Sequence, residues 1–346
     1  MTISNTRIKV VLAALAIMAA IIAVTSAVLC SSKPFSVGQT VAPESESTPV
    51  SSKAESVPSE VKTPDVKKYL IIGEDENGLT DTLIVAFCDL ENGTVKLLSI
   101  PRDTYVGGDI PTGKINAVYA HAKYPYTQNH DIRNLAWVLK TQLGVEPDGY
   151  LKLTFEGFRN AVDAIGGIPI YLPKALYDTH SKSVVLTAGE HVLDGTTAEL
   201  FVRFRSGYFQ GDLGRVEAQK RFLAAAMKRA KELSAAELTA LMTGEVISEV
   251  ESDLTAGQLV ELARFLREVS LENVNGYTLP GVEFDSVEGL ACYAVNRKAL
   301  LSLLNTEFYG EDEQLTLADI GATVVSGLNY GETYQSEKNN FADLID

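Results

Sequence analysis

The stretch KYLIIGEDENGLTDTLIVAFCDLENGTVKLLSIPRD, residues 68–103, decides the fold. Its three apolar runs, YLIIG (69–73), TLIVAFC (82–88) and TVKLLSI (94–100), read as buried strands. The last two are joined by Asp89-Leu90-Glu91-Asn92-Gly93, and Asn-Gly is a strong hairpin signal. Pro101 cannot donate to a ladder and ends the third strand, which leaves Arg102 and Asp103 at its carboxyl end.

Downstream the pattern alternates. Asp131 is placed to cap a helix RNLAWVLKTQLG, with Leu135, Leu139 and Leu143 at helical spacing. A strand over 150–155, a helix EGFRNAVDAI closed by Gly166-Gly167 and a strand IPIYL (168–172) follow. Further helices are predicted over 213–233, 235–250 and 255–269, then a strand VNGYTL and a late helix NRKALLSLLNTEF. Strands alternating with helices indicate a layered α/β domain. With no repeat and no second linker, residues 67–310 form one domain, and 311–346 are an extension of unassigned role. Within the extension, LTLADIGATVVSGLN is expected to add a helix packed on the domain.

Upstream, VVLAALAIMAAIIAVTSAVLC (10–30) carries no charge. Its length suffices to cross a hydrocarbon core of roughly 30 Å and favours an uncleaved transmembrane anchor over a signal peptide, whose apolar centre is shorter. Arg7 and Lys9 precede it, so residues 1–9 are expected in the cytoplasm and everything after residue 30 outside, on the cell-wall side of a single-pass membrane protein. Residues 31–66, rich in Ser, Pro, Val and Glu, read as a disordered extracellular linker.

A formal net charge of −15 argues against broad nucleic-acid binding, so any anion site must be local. Cys30, Cys88 and Cys292 have no metal-ligand spacing; Cys88 and Cys292 lie in apolar segments where buried thiols are commoner than a disulfide. No phosphate-binding GxxxxGK[ST] loop, HExxH or GxSxG is present, and the four histidines form no spaced cluster.

Local basic density is nevertheless high in FVRFRSGYFQGDLGRVEAQKRF (201–222), which holds Arg203, Arg205, Arg215, Lys220 and Arg221. Were VRFR extended, Arg203 and Arg205 would share one side while Val202 and Phe204 faced the core. Asp212 would cap the following helix, placing Arg215 and Gln219 one turn apart on one face. Guanidiniums held close repel by roughly 4 kcal/mol per pair at about 4 Å. Compensation could come from Asp212 and Glu217, or from a pyrophosphate, whose many acceptor oxygens suit forked donors. Three further groups stand beside this one. The loop GEDENGLTDT (73–82) puts Asp75 and Asp81 at either end of a connection at a sheet edge, either as plain turn residues or as ligands of a hard cation. Arg102 and Asp103 follow a strand end, where ligands bind such sheets or where a surface ion pair forms. Lys114 and Asn116 lie in GKINAVYA, Lys114 being a phosphate contact or a loop lysine.

In order, GEDENGLTDTLIVA, LLSIPRDTYV, GKINAVYAHA, FEGFRNAVDAIGGIPIYLP and HVLDGTTAELFVRFRSGYFQGDLGRVEAQKRFL resemble the LytR-CpsA-Psr family of cell-wall enzymes. The resemblance implies a three-layer α/β/α sandwich with a central mixed sheet and an apolar tunnel for a polyprenyl chain. It implies transfer of a glycopolymer phosphate from undecaprenyl pyrophosphate to peptidoglycan at the muramic acid 6-hydroxyl, with teichoic acid and capsule among the candidate polymers. It also implies that Asp75 and Asp81 serve a Mg²⁺ site, Mn²⁺ being the alternative ion. Arg102, Lys114, Arg203, Arg205, Arg215 and Gln219 would hold the diphosphate, with Asp212 an acid at the same site and Asp103 and Asn116 matching motif positions. Two positions depart from the family pattern: Leu79 and Ala218 stand where many members carry arginine. A non-catalytic glycolipid receptor is the rival function. Transcriptional attenuation is opposed by the expected topology, and the oligomeric state is open.

Overall fold

The computed structural model describes residues 66–107, 110–121, 126, 128–179, 181–204, 212–233, 250–286 and 288–345. The apolar run at 10–30, linker residues 31–65, residues 235–249 of the helix expected over 235–250 and Arg205 lie outside them, and Val250 begins a strand. Among the described residues no helix is long and apolar enough to cross a membrane.

The opening stretch forms an antiparallel meander of β1 (Val66–Glu74), β2 (Thr80–Asp89) and β3 (Thr94–Ser99), with Leu70 opposite Val85 and Val85 opposite Leu98. The Asp89 carboxylate accepts the Asn92 N–H at 2.9 Å, and Gly93 takes φ 65° to close the hairpin. Helices α1 (Val118–His121) and α2 (Ile132–Leu143, capped by Asp131) lead to β4 (Gly149–Thr154), parallel to β1. After α3 (Phe155–Ala164) come the paired strands β5 (Ile168–Leu172) and β8 (Gly189–Leu193), which enclose a second pair, β6 (Leu176–Asp178) and β7 (Ser183–Leu186). Helices α4 (Gly195–Arg203) and α5 (Asp212–Lys231) precede β9 (Val250–Ser252), α6 (Ala256–Glu268) and β10 (Val274–Thr278). The hairpin β11 (Gly281–Asp285) and β12 (Ala291–Val295), helix α7 (Arg297–Leu303) and β13 (Asn339–Asn340) complete the chain.

Seven strands form one mixed sheet in the order β13-β10-β3-β2-β1-β4-β9. Side chains alternate across it. Tyr69, Ile71, Ile84 and Leu97 pack with Phe158 of α3, Phe201 of α4, Phe222 of α5 and Leu259 of α6. Leu70, Ile72, Val85 and Leu98 pack on the opposite face with Val118, Leu135 and Leu300 of α1, α2 and α7. Burial of both faces is why the three strands of the opening stretch read as continuous apolar runs. Cys88 in β2 and Cys292 in β12 are buried free thiols, and burial pushes the Cys88 pKa up to about 12.

Two segments differ from the sequence expectation. Val202 and Arg203 end α4 rather than lying in a strand, because Asp194 caps the helix through the Thr197 N–H at 2.7 Å and the apolar spacing of GTTAELFV continues to Arg203. LTLADIGATVVSGLN forms a single 3₁₀ turn, Leu317–Asp319, and no longer helix. Gly321 there donates to the Thr141 carbonyl, and a Cβ at Gly321 would stand 2.5 Å from that oxygen, so the backbone is pressed onto α2 instead of coiling.

The extension is part of the sheet. β13 pairs with β10, Phe341 is fully buried, Lys220 reaches Asn339 at 2.7 Å, and Arg221 reaches the Leu344 carbonyl at 3.0 Å. Lys220 and Arg221 therefore anchor the tail. Phe341→Ala is expected to lower unfolding free energy by about 3–5 kcal/mol, the range for emptying a buried aromatic site, as measured by denaturant titration.

Candidate active site

β1, β3 and β4 run in one direction and β2 in the other, so Glu74, Ser99 and Thr154 end their strands at the edge where Thr80 begins β2. Asp81 is buried there. Its Oδ1 is salt-bridged to Arg102, just past β3, and its Oδ2 lies 3.6 Å from Nε of Arg203, at the end of α4. A carboxylate with little access to water persists only when paired, and two arginines brought together persist only with an anion between them. Each requirement meets the other at this point.

Arg203 is held from two more sides. Its Nη1 lies 2.5 Å from Glu199, one helical turn earlier, and its guanidinium stacks 4.4 Å above the Phe155 ring. Glu199 also pairs with Arg159 of α3, locking α3 to α4. An extended VRFR gives Glu199 no role at the site; its signal is the i,i+4 spacing to Arg203, which brings the two together only in a helix.

The remaining expected residues divide. Asp103 pairs with Lys114 at 2.9 Å and lies 3.8 Å from Nε of Arg102, so these three form one chain of charge with Asp81. Asn116 is buried; its N–H donates to the Arg102 carbonyl at 3.2 Å and its carbonyl accepts from the Thr80 hydroxyl at 3.4 Å. Asn116 thus positions backbone instead of presenting its own carbonyl or N–H outward. Gln219 donates to the Thr82 hydroxyl and the Val202 carbonyl, both at 3.2 Å. Arg215, one turn before it on α5, is 2% exposed. Asp212 is the first residue of α5, not the residue preceding it, and its side chain, like Arg205, is outside the described residues. Asp75 Oδ1 accepts the Asn77 and Leu79 N–H groups, both at 2.9 Å, so Asp75 shapes its own loop. Among the described residues no group of three or more His, Cys, Asp or Glu side chains converges as a metal site. Of the two departures from the family pattern, Leu79 is held through its N–H by Asp75 and Ala218 is buried in the apolar core.

Next to these polar groups lies an apolar cavity of about 80 Å³ lined by Ile71, Ile84, Phe155, Phe158, Phe222 and Leu223, with Thr82, Thr154 and Gln219 as its polar lining. A smaller cavity, about 20 Å³, lies on the same sheet face and shares Ile71 with it. Phe155 therefore serves twice, stacking on Arg203 and walling the cavity.

On the opposite sheet face, Lys152 of β4 is bonded to Glu74 at 2.7 Å, the Tyr119 hydroxyl at 2.7 Å and Glu251 at 3.0 Å, a network with no motif in the sequence. Burial disfavours its ammonium, but hydrogen bonds to Glu74, Tyr119 and Glu251 outweigh that and hold its pKa above the ordinary lysine value. Since the folded pKa is the higher one, the stability contributed is complete below about pH 10 and is lost as the pH rises through the folded value. The difference in urea-unfolding free energy between wild type and Lys152→Met should accordingly be full at neutral pH and shrink at strongly alkaline pH. Glu199→Ala, which leaves Arg159 and Arg203 without their shared anion, should cost about 1 kcal/mol in the same assay, the upper end for partly exposed pairs.

The chain is 26% identical over 264 residues to the polyisoprenyl-teichoic acid–peptidoglycan teichoic acid transferase TagU of Oceanobacillus iheyensis, covering 73% of this chain and 78% of TagU. It is 28% identical over 266 residues to the Bacillus subtilis transferase TagV, covering 74% of this chain and 61% of TagV. The crystal structure of B. subtilis TagV superposes with a TM-score of 0.56 at 24% identity, covering 70% of this chain and 95% of that one, a likeness of fold. Residues 32–308 match the LytR_cpsA_psr family, and on that span the chain belongs to it.

Proposed function

We propose that this protein transfers a glycopolymer phosphate from a polyprenyl-pyrophosphate carrier to peptidoglycan, forming a phosphodiester at the muramic acid 6-hydroxyl and releasing polyprenyl phosphate. The observation that carries this reading is the Asp81 carboxylate held between Arg102 and Arg203 directly beside an apolar cavity. A diphosphate on an isoprenoid tail is the ligand that needs both halves at once. Family membership and relatives named as transferases support catalysis over simple binding.

In this mechanism Arg102 and Arg203 grip the diphosphate, since a guanidinium has five donors and pairing with Asp81 uses only part of them. Arg215 and Arg205 add positive charge, Lys114 adds a point charge through its link to Asp103, and Gln219 orients the group at the cavity wall. The isoprenoid tail would enter at the cavity lined by Phe155, Phe158 and Phe222, which must open further between the sheet and its helices to admit a chain of that length in the three-layer α/β/α sandwich. The acceptor oxygen forms the new bond to the glycan-linked phosphorus as that phosphorus loses the bridging oxygen, which leaves on polyprenyl phosphate with the bond's electron pair, and the arginines stabilise the negative charge that develops there. Asp212 or Asp103 assists removal of the hydroxyl proton.

The donor chemistry fits Mg²⁺, which binds through one or two carboxylates together with substrate phosphate oxygens. Asp75 retains acceptor capacity beyond the two loop N–H groups, because a carboxylate offers about four lone-pair sites. Asp75 and Asp81 would hold the ion, which when bound neutralises phosphate charge. We place the domain outside the cell, tethered through residues 10–30.

Full-length protein in nanodiscs, given a polyprenyl-pyrophosphate oligosaccharide, Mg²⁺ and peptidoglycan, should yield a phosphodiester-linked product. Lipid binding without product would instead identify a receptor. Asp81→Ala should abolish transfer while the thermal transition stays cooperative. Arg203→Ala should weaken diphosphate binding by about 1.5–3 kcal/mol, as for a charge-assisted hydrogen bond, read by titration calorimetry.

A further inference from the structure

A second concavity, of about 560 Å³, lies away from the cavity beside Asp81. One wall is the ribbon of β5 and β8, where Tyr171 stands opposite Glu190 and Pro169 opposite Val192, so these four side chains share one outward face. Tyr171 is 49% exposed and Val192 67%. The groove is also lined by the C-terminal half of α5, with Ala225 and Lys228, by Glu232 just past the end of that helix, and by Leu344 and Ile345 of the tail. The frame is rigid. Arg229 donates to the Ile165 carbonyl at 2.7 Å, and Arg221 fixes the tail through Leu344.

We propose that this groove binds the glycan strand of the peptidoglycan acceptor, an inference that rests on the transferase reading above. Its charges decide the ligand class. Glu190 and Glu232 balance Lys228 and Arg229, and His191, which also lines the groove, is bonded to the Thr187 carbonyl at 2.8 Å, so within a chain of net charge −15 the groove offers no strong positive field for a polyanionic teichoic acid. A polyhydroxylated chain with uncharged sugar rings fits: the tyrosine ring presents an apolar face to pyranose C–H groups, and carboxylates and an ammonium accept from and donate to hydroxyls. The volume lies in the range of small-ligand sites and suits a short run of sugar units.

Position relates the groove to the chemistry. β8 runs through Asp194 into α4, whose last residue is Arg203, and α5 carries Arg215 and Gln219 upstream of Lys228. At 1.5 Å per residue, Gln219 and Lys228 are about 13 Å apart along the helix. A strand seated in the groove therefore extends along the same two elements that hold the arginines, and its next units arrive at the diphosphate.

The test uses full-length protein in nanodiscs titrated with soluble, uncrosslinked peptidoglycan glycan strands, alongside the transfer assay. Wild type should bind saturably. Tyr171→Ala and Lys228→Ala together should weaken that binding at least tenfold and raise the KM for acceptor strands, with kcat, donor KM and the melting transition unchanged. Normal strand affinity in the double variant overturns the groove assignment while leaving the transferase reading intact. A defect confined to association with lipid vesicles, with strand binding normal, assigns the surface to the bilayer and likewise overturns it. If wild type neither transfers nor binds the polyprenyl donor, the transferase reading fails and the groove inference falls with it.

Discussion

A single buried carboxylate organises this protein's polar centre. Asp81 lies on β2, Arg102 beyond β3 and Arg203 at the end of α4, and their sequence separations mean that no local interaction could bring them together. Two guanidiniums in one place are unfavourable and a carboxylate without water is unfavourable, yet the three together satisfy one another. A planar guanidinium carries five donors, so Arg203 pairs with Asp81 and Glu199 from different edges while its face stacks on Phe155.

The scaffold around that centre is set by side-chain alternation in the sheet. One face of β1 and β2 builds the apolar cavity against α3 and α5, and the other builds an independent core against α1, α2 and α7. Polar and apolar parts of the site meet at Phe155, the first residue of α3, whose ring bears Arg203 on one side and walls the cavity. The junction of charged and apolar surface thus follows from where one helix begins. The Glu199 link between Arg159 and Arg203 fixes the angle at which that helix meets the next.

The cationic stretch from 201 to 222 proves to serve two purposes. Arg203 joins the Asp81 cluster and Arg215 lies one turn before Gln219 on α5, whereas Lys220 and Arg221 fasten the C-terminal tail to that same helix. Helical periodicity separates the two sets. The tail in turn supplies an edge strand and buries Phe341, which makes the final residues part of the folded unit.

By itself the sequence determined what is local: the three-strand meander, the Asn-Gly hairpin, the Asp131 cap, the late helix and the identity of most charged groups at the site. Apolar period and turn chemistry act over a few residues, so they are written in the order of the chain. Only the tertiary structure decided which of those charges meet. Asp75 and Asp81 looked equivalent as loop ends, yet one folds back on its own loop while the other bridges two arginines. Glu199 and Lys152 carried no motif and emerge as partners only once α4 is helical and β4 lies beside β1 and β9. Register and packing between distant segments set those pairings, because the energy of a buried charge depends on its neighbours in space and not on those in the chain.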